Sequence, residues 1–212
     1  MGGRGDAGGV TIVKLGGSLA SSALLPKWLD ALADCAGRVI VVPGGGPFAD
    51  AVRVAQPLMG FDEDAAHRMA VLAMEQYAYA LASLHEKLKL ASSVAAMRRM
   101  LRDRMVPVWL PARLALGAPD IPSSWDVTSD SLAAWLAGKI GAKRLVLVKH
   151  GEFGDGAVSV ATLAAQGAVD AAFPGFLREC GASACILGAS DLASLAAALD
   201  GAPGAGAWIT LP

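Results

Sequence analysis

The sequence predicts an α/β fold, a three-layer α/β/α sandwich with a central, mainly parallel sheet. Three observations predict it. Short, almost wholly apolar runs rich in β-branched residues recur at 10–13, 38–42, 106–110 and 144–149, and strands this apolar belong to parallel sheets covered on both faces. Segments of helical pattern alternate with them, as βαβ units require. Two of the strands run straight into glycine-rich turns and then into helices.

In chain order, the Gly-rich start, 1–9, is expected to be flexible. A strand at 10–13 leads into a loop, Lys14-Leu15-Gly16-Gly17-Ser18. The segment 23–36 is helical in pattern, Gly37 stops it, and 38–42 returns as a strand, which completes one right-handed βαβ unit. Pro43-Gly44-Gly45-Gly46-Pro47 closes that strand, and 48–55 reads as a helix with proline in its first turn. The segment 62–90 contains neither Gly nor Pro and is rich in good helix formers, so it predicts one long helix or two abutting ones over a sheet face. The segment 93–105 continues helically, and its Arg98, Arg99, Arg102 and Arg104 read as a solvated face. A strand at 106–110, a helix at 131–141 and a strand at 144–149 follow. Further strands are expected at 157–160, 184–187 and 207–211, with a helix at 191–199. No internal repeat, charge block or long linker divides the chain, and 1–212 is expected to be one domain.

Composition narrows the function. With 54% hydrophobic and 17% charged residues, the chain is neither disordered nor a coiled coil. Its 18 basic and 19 acidic side chains leave a net charge of -1, so no global field favours nucleic acid or an anionic membrane. The mean hydropathy of +0.48 reflects Ala and Gly rather than a membrane-spanning run. The N-terminus lacks an apolar signal core, and Asp6 stands where a myristoylation signal needs Ser or Thr, so a cytoplasmic location is expected. Cys35, Cys180 and Cys185 show no C-x-x-C spacing, which reads as buried thiols rather than a disulfide or zinc framework.

The glycine turns carry the first chemical signal. At the C-terminal ends of two adjacent strands, backbone amides and helix N-termini offer donors to phosphate oxygens. Two such turns, the first preceded by Lys14, suit two anionic groups facing each other, which is what phosphoryl transfer needs. Neither turn is a G-x-x-x-x-G-K-[ST] or a G-x-G-x-x-G motif. A third cluster, Ser124-Trp125-Asp126-Val127-Thr128-Ser129-Asp130-Ser131, precedes a helix. Asp130 or Ser129 suffices to cap it, yet the segment holds two carboxylates and four hydroxyls, so an ionised Asp there is also available to orient Lys14 or to help hold a Mg-nucleotide.

These three motifs, Lys14-x-Gly16-Gly17-Ser18, Pro43-Gly44-Gly45-Gly46 and Thr128-Ser129-Asp130-Ser131, resemble in order and spacing the amino acid kinase superfamily, the group of acetylglutamate, carbamate, uridylate and isopentenyl phosphate kinases. Within it, PGGGPFADAVR, His67-Arg68-Met69-Ala70 with Met74, LPARLAL, SSWDVTSDSL, and Val169-Asp170 before Phe173-Pro174 are similar to the small archaeal-type kinases of methanofuran biosynthesis, which act on 5-(aminomethyl)furan-3-ylmethyl phosphate. The resemblance implies an ATP- and Mg2+-dependent kinase, with 10–125 mainly an acceptor-binding lobe and 126–212 mainly a nucleotide-binding lobe. It implies Lys14 as a charge-neutralising catalytic group oriented by Asp130, either Lys149 or Arg178 in place of the family's second catalytic lysine, and Gly16, Gly17, Ser18, Lys149 and Phe153 on the nucleotide. It further implies Gly44, Gly45, Gly46, Arg53, His67, Asp126, Thr128 and Ser129 on the acceptor, with Asp126 placed to pair with an amine. Two departures stand out. Val148-Lys149-His150-Gly151-Glu152-Phe153 replaces the family's Thr-Asp-x-Asp-Gly-Val-Tyr stretch and shortens the nucleotide loop, and Arg178 stands where many members carry a second lysine. The resemblance also allows a non-catalytic, nucleotide-binding regulatory or storage relative. A homodimer or higher homo-oligomer is expected; a further reading is a structural partner in a hetero-oligomer with the 62–90 segment as its interface, although its Met69, Met74, Tyr77 and Tyr79 suit packing against a sheet or against a second subunit equally.

Overall fold

The computed structural model describes residues 9–212; the N-terminal flexibility expected above falls mainly on 1–8, outside the described residues. The chain runs β1 (Thr11–Leu15), α1 (Leu25–Asp34), β2 (Val39–Pro43), α2 (Gly46–Met59), α3 (Glu63–Leu84), β3 (Leu88–Ala91), α4 (Val94–Arg102), β4 (Val106–Trp109) and α5 (Ala112–Ala115). It continues through α6 (Ser129–Ile140), β5 (Arg144–Lys149), β6 (Gly156–Ser159), α7 (Val160–Ala165), α8 (Phe173–Cys180), β7 (Ser183–Gly188), α9 (Leu195–Asp200) and β8 (Ala207–Thr210). The eight strands form one sheet in the order β3-β4-β2-β1-β5-β7-β8-β6, parallel except where β7 meets β8. This is the predicted three-layer, mainly parallel sandwich.

Strand alternation builds the layers. Successive side chains on a strand point to opposite faces, so Ile12, Ile40, Leu145 and Leu147 join one core with α6 and α8, while Val13, Val41, Val146 and Val148 join the other with Trp28 of α1 and Tyr77 of α3. Lys14 follows Ile12 by two residues and Lys149 follows Leu147 by two. Both lysines therefore stand on the α6 face, at the C-terminal ends of strands paired in register Lys14 with Leu147. The chain leaves β1 for β2 on one side and returns to β5 on the other, and such a reversal of strand order is where open parallel sheets bind ligands.

The structure departs from the sequence expectations at several elements. Lys14 and Leu15 are not loop residues; β1 continues through them, fully buried. The 62–90 segment is not wholly helical. It ends at Leu84, and Leu88–Ala91 forms the edge strand β3, parallel to β4, with only its end residues buried. Helix propensity yields here to an unpaired sheet edge that accepts four extended residues. The helix after the second glycine turn is longer than 48–55 and reaches Met59, with Gly60 in the left-handed conformation ending it. The helices α7 and α8 have no counterpart in the sequence reading. The basic cluster on and after α4 is exposed, as a solvated face should be. In α3, Met74 and Tyr77 are buried in the chain's own cores while Met69 and Tyr79 are exposed. Among the described residues no helix is long and apolar enough to cross a membrane.

Candidate active site

The first turn of α6 brings Asp130 against both lysines. Lys149 Nζ donates to Asp130 Oδ2 at 2.6 Å, and Lys14 Nζ lies 3.0 Å from Oδ1. Lys14 and Asp130 are only 5% and 2% exposed along their side chains, and Lys149 is 18% exposed, so it is the group that faces solvent and ligand. The Lys14 contact is ionic but off the hydrogen-bonding line, which leaves Oδ1 buried with no directed hydrogen bond. Burial lowers the Lys14 pKa to about 8, with Asp130 opposing the shift and Lys149 adding to it. The two ammonium groups hold Asp130 below the usual carboxylate range despite its own burial. One carboxylate thus holds two lysines at the end of the central strands.

The helix cap is not where the sequence placed it. Neither Ser129 nor Asp130 caps α6, and the N-cap residue Thr128 makes no side-chain cap of its own. The cap comes from Asp170, in the loop before α8. Thr128 N–H and Oγ1 donate to Asp170 Oδ2 at 3.0 and 2.8 Å, Ser131 N–H donates to the same oxygen at 3.0 Å, and Ser131 Oγ donates to Oδ1. This frees Asp130 to face the lysines, and it occupies both polar groups of Thr128 that were expected on the acceptor.

The glycine turns meet backbone to backbone. A Cβ on Gly17 would lie 2.3 Å from Gly46 N, and one on Gly44 would lie 2.4 Å from Gly17 N. Gly46 has φ +55°, a left-handed conformation in the first position of α2. Gly16 N–H and Gly44 N–H are taken by Val148 O and Leu15 O, both at 2.8 Å. Among the described residues, the N–H groups of Gly17, Ser18, Gly45 and Gly46 donate to no protein acceptor, so these four are the amides an anion can use. Gly17→Ala is expected to push the two turns apart and to destabilise the fold by about 1–3 kcal/mol, read as a drop in thermal midpoint; an unchanged midpoint contradicts the close approach.

Beside the second turn lies a cavity of about 150 Å³, lined by Gly45, Gly46, Arg53, His67, Thr128 and Ser129 among the expected acceptor residues. Val71, Met74, Val127 and Leu132 give it apolar walls, and Trp125 also lines it. The Arg53 guanidinium sits 4.6 Å from the centre of the Trp125 ring, whose Nε1–H donates to Gln56 Oε1 at 2.7 Å. His67 is buried, and burial lowers its pKa, which favours the neutral imidazole. Asp126 does not line this cavity. It opens onto a neighbouring cleft with Lys149, Asp130 and Asp170, whereas the carboxylate lining the cavity is Asp50, 3.2 Å from Arg53. Arg178 is exposed on α8, and Lys149 supplies the second ammonium. Phe153 packs partly buried in the short loop after β5.

Residues 9–152 match the family model described as the amino acid kinase family. The chain belongs to that family. The match ends in the loop after β5. Among curated proteins, the chain is similar to [5-(aminomethyl)furan-3-yl]methyl phosphate kinase from Methanocaldococcus jannaschii, 25% identical over 138 residues, 64% of this chain and 63% of that protein. The alignment therefore spans less than two thirds of that relative's length. Among solved structures, the fold is shared with uridylate kinase from Archaeoglobus fulgidus, at TM-score 0.71 and 17% identity over 95% of this chain and 100% of that one. It is shared also with UMP kinase from Bacillus anthracis, at TM-score 0.72 and 14% identity over 96% of each chain. The family's fold thus extends through the part of the chain that follows residue 152.

In the sequence Asp170 stands out only as part of the Val169-Asp170 resemblance, with no role at the site. The signal lay in the segment 124–131, which has more donors than a local cap can satisfy; the carboxylate that accepts from them stands about forty residues further along the chain.

Proposed function

We propose that this member of the amino acid kinase family is an ATP-dependent kinase that transfers the γ-phosphoryl group of ATP to a small phosphorylated metabolite. The observation that carries this reading is the Lys14–Asp130–Lys149 cluster at the ends of β1 and β5, beside two glycine turns that touch backbone to backbone. An oxygen of the acceptor phosphate attacks the γ-phosphorus, the bond to the bridging oxygen breaks, and ADP leaves with the electron pair. Such a reaction needs in-line positioning and neutralisation of negative charge rather than covalent help. Lys14 and Lys149 supply the charge, and Asp130 keeps them together. Gly17 and Ser18 offer amides to the nucleotide phosphates, with Gly16 shaping the turn and Phe153 beside the nucleotide; Gly45, Gly46 and Arg53 receive the acceptor's phosphate, with Gly44 shaping theirs. Among the described residues no three His, Cys, Asp or Glu side chains converge on a cation site, and both Asp130 oxygens face ammonium groups. Mg2+ is accordingly proposed only as the companion of the nucleotide's own phosphates.

The proposed acceptor is 5-(aminomethyl)furan-3-ylmethyl phosphate, in methanofuran-type cofactor biosynthesis. A cavity with amides and Arg53 at one side, apolar walls and a neutral imidazole suits a phosphate on a small flat ring. The N-terminal part of the chain supplies most of this cavity and the C-terminal part is proposed to hold the nucleotide. Self-association is proposed through α3, whose exposed Met69 and Tyr79 remain available, and sedimentation velocity reads it.

The test is ADP release from Mg-ATP with five acceptors: the aminomethylfuran phosphate, acetylglutamate, uridylate, isopentenyl phosphate and carbamate. Turnover is expected with the first. Silence across the panel, with ATP binding still measured by calorimetry, overturns the kinase reading in favour of a regulatory or storage relative.

A further inference from the structure

The four hydrogen bonds at Asp170 exceed what a helix cap needs. One Ser, Thr or Asp at the N-cap position satisfies the first turn of most helices, and α6 has Thr128 there. Instead the Thr128 hydroxyl turns away to a carboxylate brought from the far side of α7. The same loop binds a second time, because Ala172 N–H donates to Asp126 O at 3.0 Å. The pinned segment, 124–129, carries Trp125, Val127 and Ser129 of the acceptor cavity, and the turn it enters carries Asp130. A single loop therefore fixes one wall of the cavity and the charge centre beside it.

Electrostatics points the same way. The titratable groups around Asp170 are Asp130 on α6, Asp126 before it, Lys149 at the end of β5 and Lys14 on β1. Asp170 raises the affinity of Lys14 for its proton, as Asp130 does more strongly. Its own carboxyl is pushed up by burial and by Asp130, and the hydrogen bonds from Ser131 and Thr128 oppose this. Four donors converging on one carboxyl favour its ionised form.

We propose that Asp170 is a positioning residue for this site: it fixes the first turn of α6 so that Asp130 stands between the two lysines, and it sets a second negative charge behind the same pair of ammonium groups. Its turnover arm rests on the kinase reading; its titration arm does not. Asp170→Asn removes the charge with little change of shape. Followed by NMR of lysine Cε resonances without substrate, the Lys14 midpoint is expected to fall by about half a pH unit or more in this variant. Ser131→Ala and Thr128→Val each remove one hydrogen bond and leave the charge; they are expected to lower the thermal midpoint while leaving the Lys14 titration where it was. In the coupled assay, Asp170→Asn is expected to lower kcat about tenfold with smaller changes in KM for ATP and acceptor. Asp170→Glu, which keeps the charge on a longer arm, serves if the Asn variant does not fold, and is expected to retain the Lys14 midpoint while losing turnover. A wild-type Lys14 midpoint in Asp170→Asn, or wild-type kcat in Asp170→Glu, overturns the proposal and reduces Asp170 to a helix cap. A shifted midpoint with no turnover in any form of the protein leaves Asp170 in place and refutes the kinase reading instead.

Discussion

Lys14→Ala is expected to lower turnover about a hundred- to a thousandfold while the chain stays folded. The loss follows from removing a buried, preorganised cation from the place where charge moves during transfer, where low dielectric and fixed geometry make one group worth far more than in water. The fold survives because Asp130 keeps Lys149, at 2.6 Å, as its counter-ion, so no carboxylate is left buried alone. The same residue is expected to set the alkaline limit of activity. With its pKa lowered to about 8 by burial, Lys14 is mostly an ammonium at neutral pH and mostly a neutral amine one unit above that value. Wild-type kcat is therefore expected to fall as pH rises through 8 to 9, because the charge-neutralising form is the protonated one. Lys14→Arg carries a cation that does not titrate in this range, so its residual activity should lack that alkaline limb. Activity within tenfold of wild type in Lys14→Ala, or a wild-type profile flat to pH 9, would show that Lys14 is not the neutralising group.

Asp130→Asn is expected to act on stability as well as on turnover. It leaves Lys14 and Lys149, with side chains 5% and 18% exposed, facing each other with no ionised partner between them. Breaking a buried ion pair from one side destabilises by about 3–5 kcal/mol, and denaturant unfolding of the single variant should show a loss of that size. Part of the penalty is relieved by deprotonation of Lys14, so the variant should lose less stability at pH 9 than at pH 7. Adding Lys14→Met should recover much of the loss, since the double variant no longer buries an unpaired charge. Turnover should fall in both and not recover, which separates folding from chemistry. A stability loss under about 1 kcal/mol in the single variant would mean that the lysines do not depend on Asp130.

Much of this site is local, and that part was legible in the chain. Glycines in two turns, a lysine before the first and an acidic first turn of a helix are features of contiguous residues, and each dictates its own backbone conformation. The period of two along β5 also places Lys149 with Leu147 on one face, whereas Lys14, expected in a loop, joins Ile12 on that face only because β1 runs on through Leu15. The strands of the central sheet were legible for the same reason, since burial on both faces demands unbroken apolar runs at 39–42 and 145–148. The edge strand Leu88–Ala91 was not, because LKLA follows a helical segment without a break and becomes a strand only when β4 offers it a partner.

What tertiary structure alone decided is which of these pieces touch. The register that sets Lys14 beside Leu147 depends on β5 returning to β1 after the chain has built three strands elsewhere, and no local pattern encodes it. The same holds for the contact of Gly17 with Gly46, the turning of Asp126 into the cleft away from the cavity, and the capping of α6 by Asp170. Side-chain identity by itself determined the chemistry available, two ammonium groups for one buried carboxylate beside free amides. Distance and direction determine its use, and they are properties of the packed sheet and helices, in which residues remote along the chain share one surface.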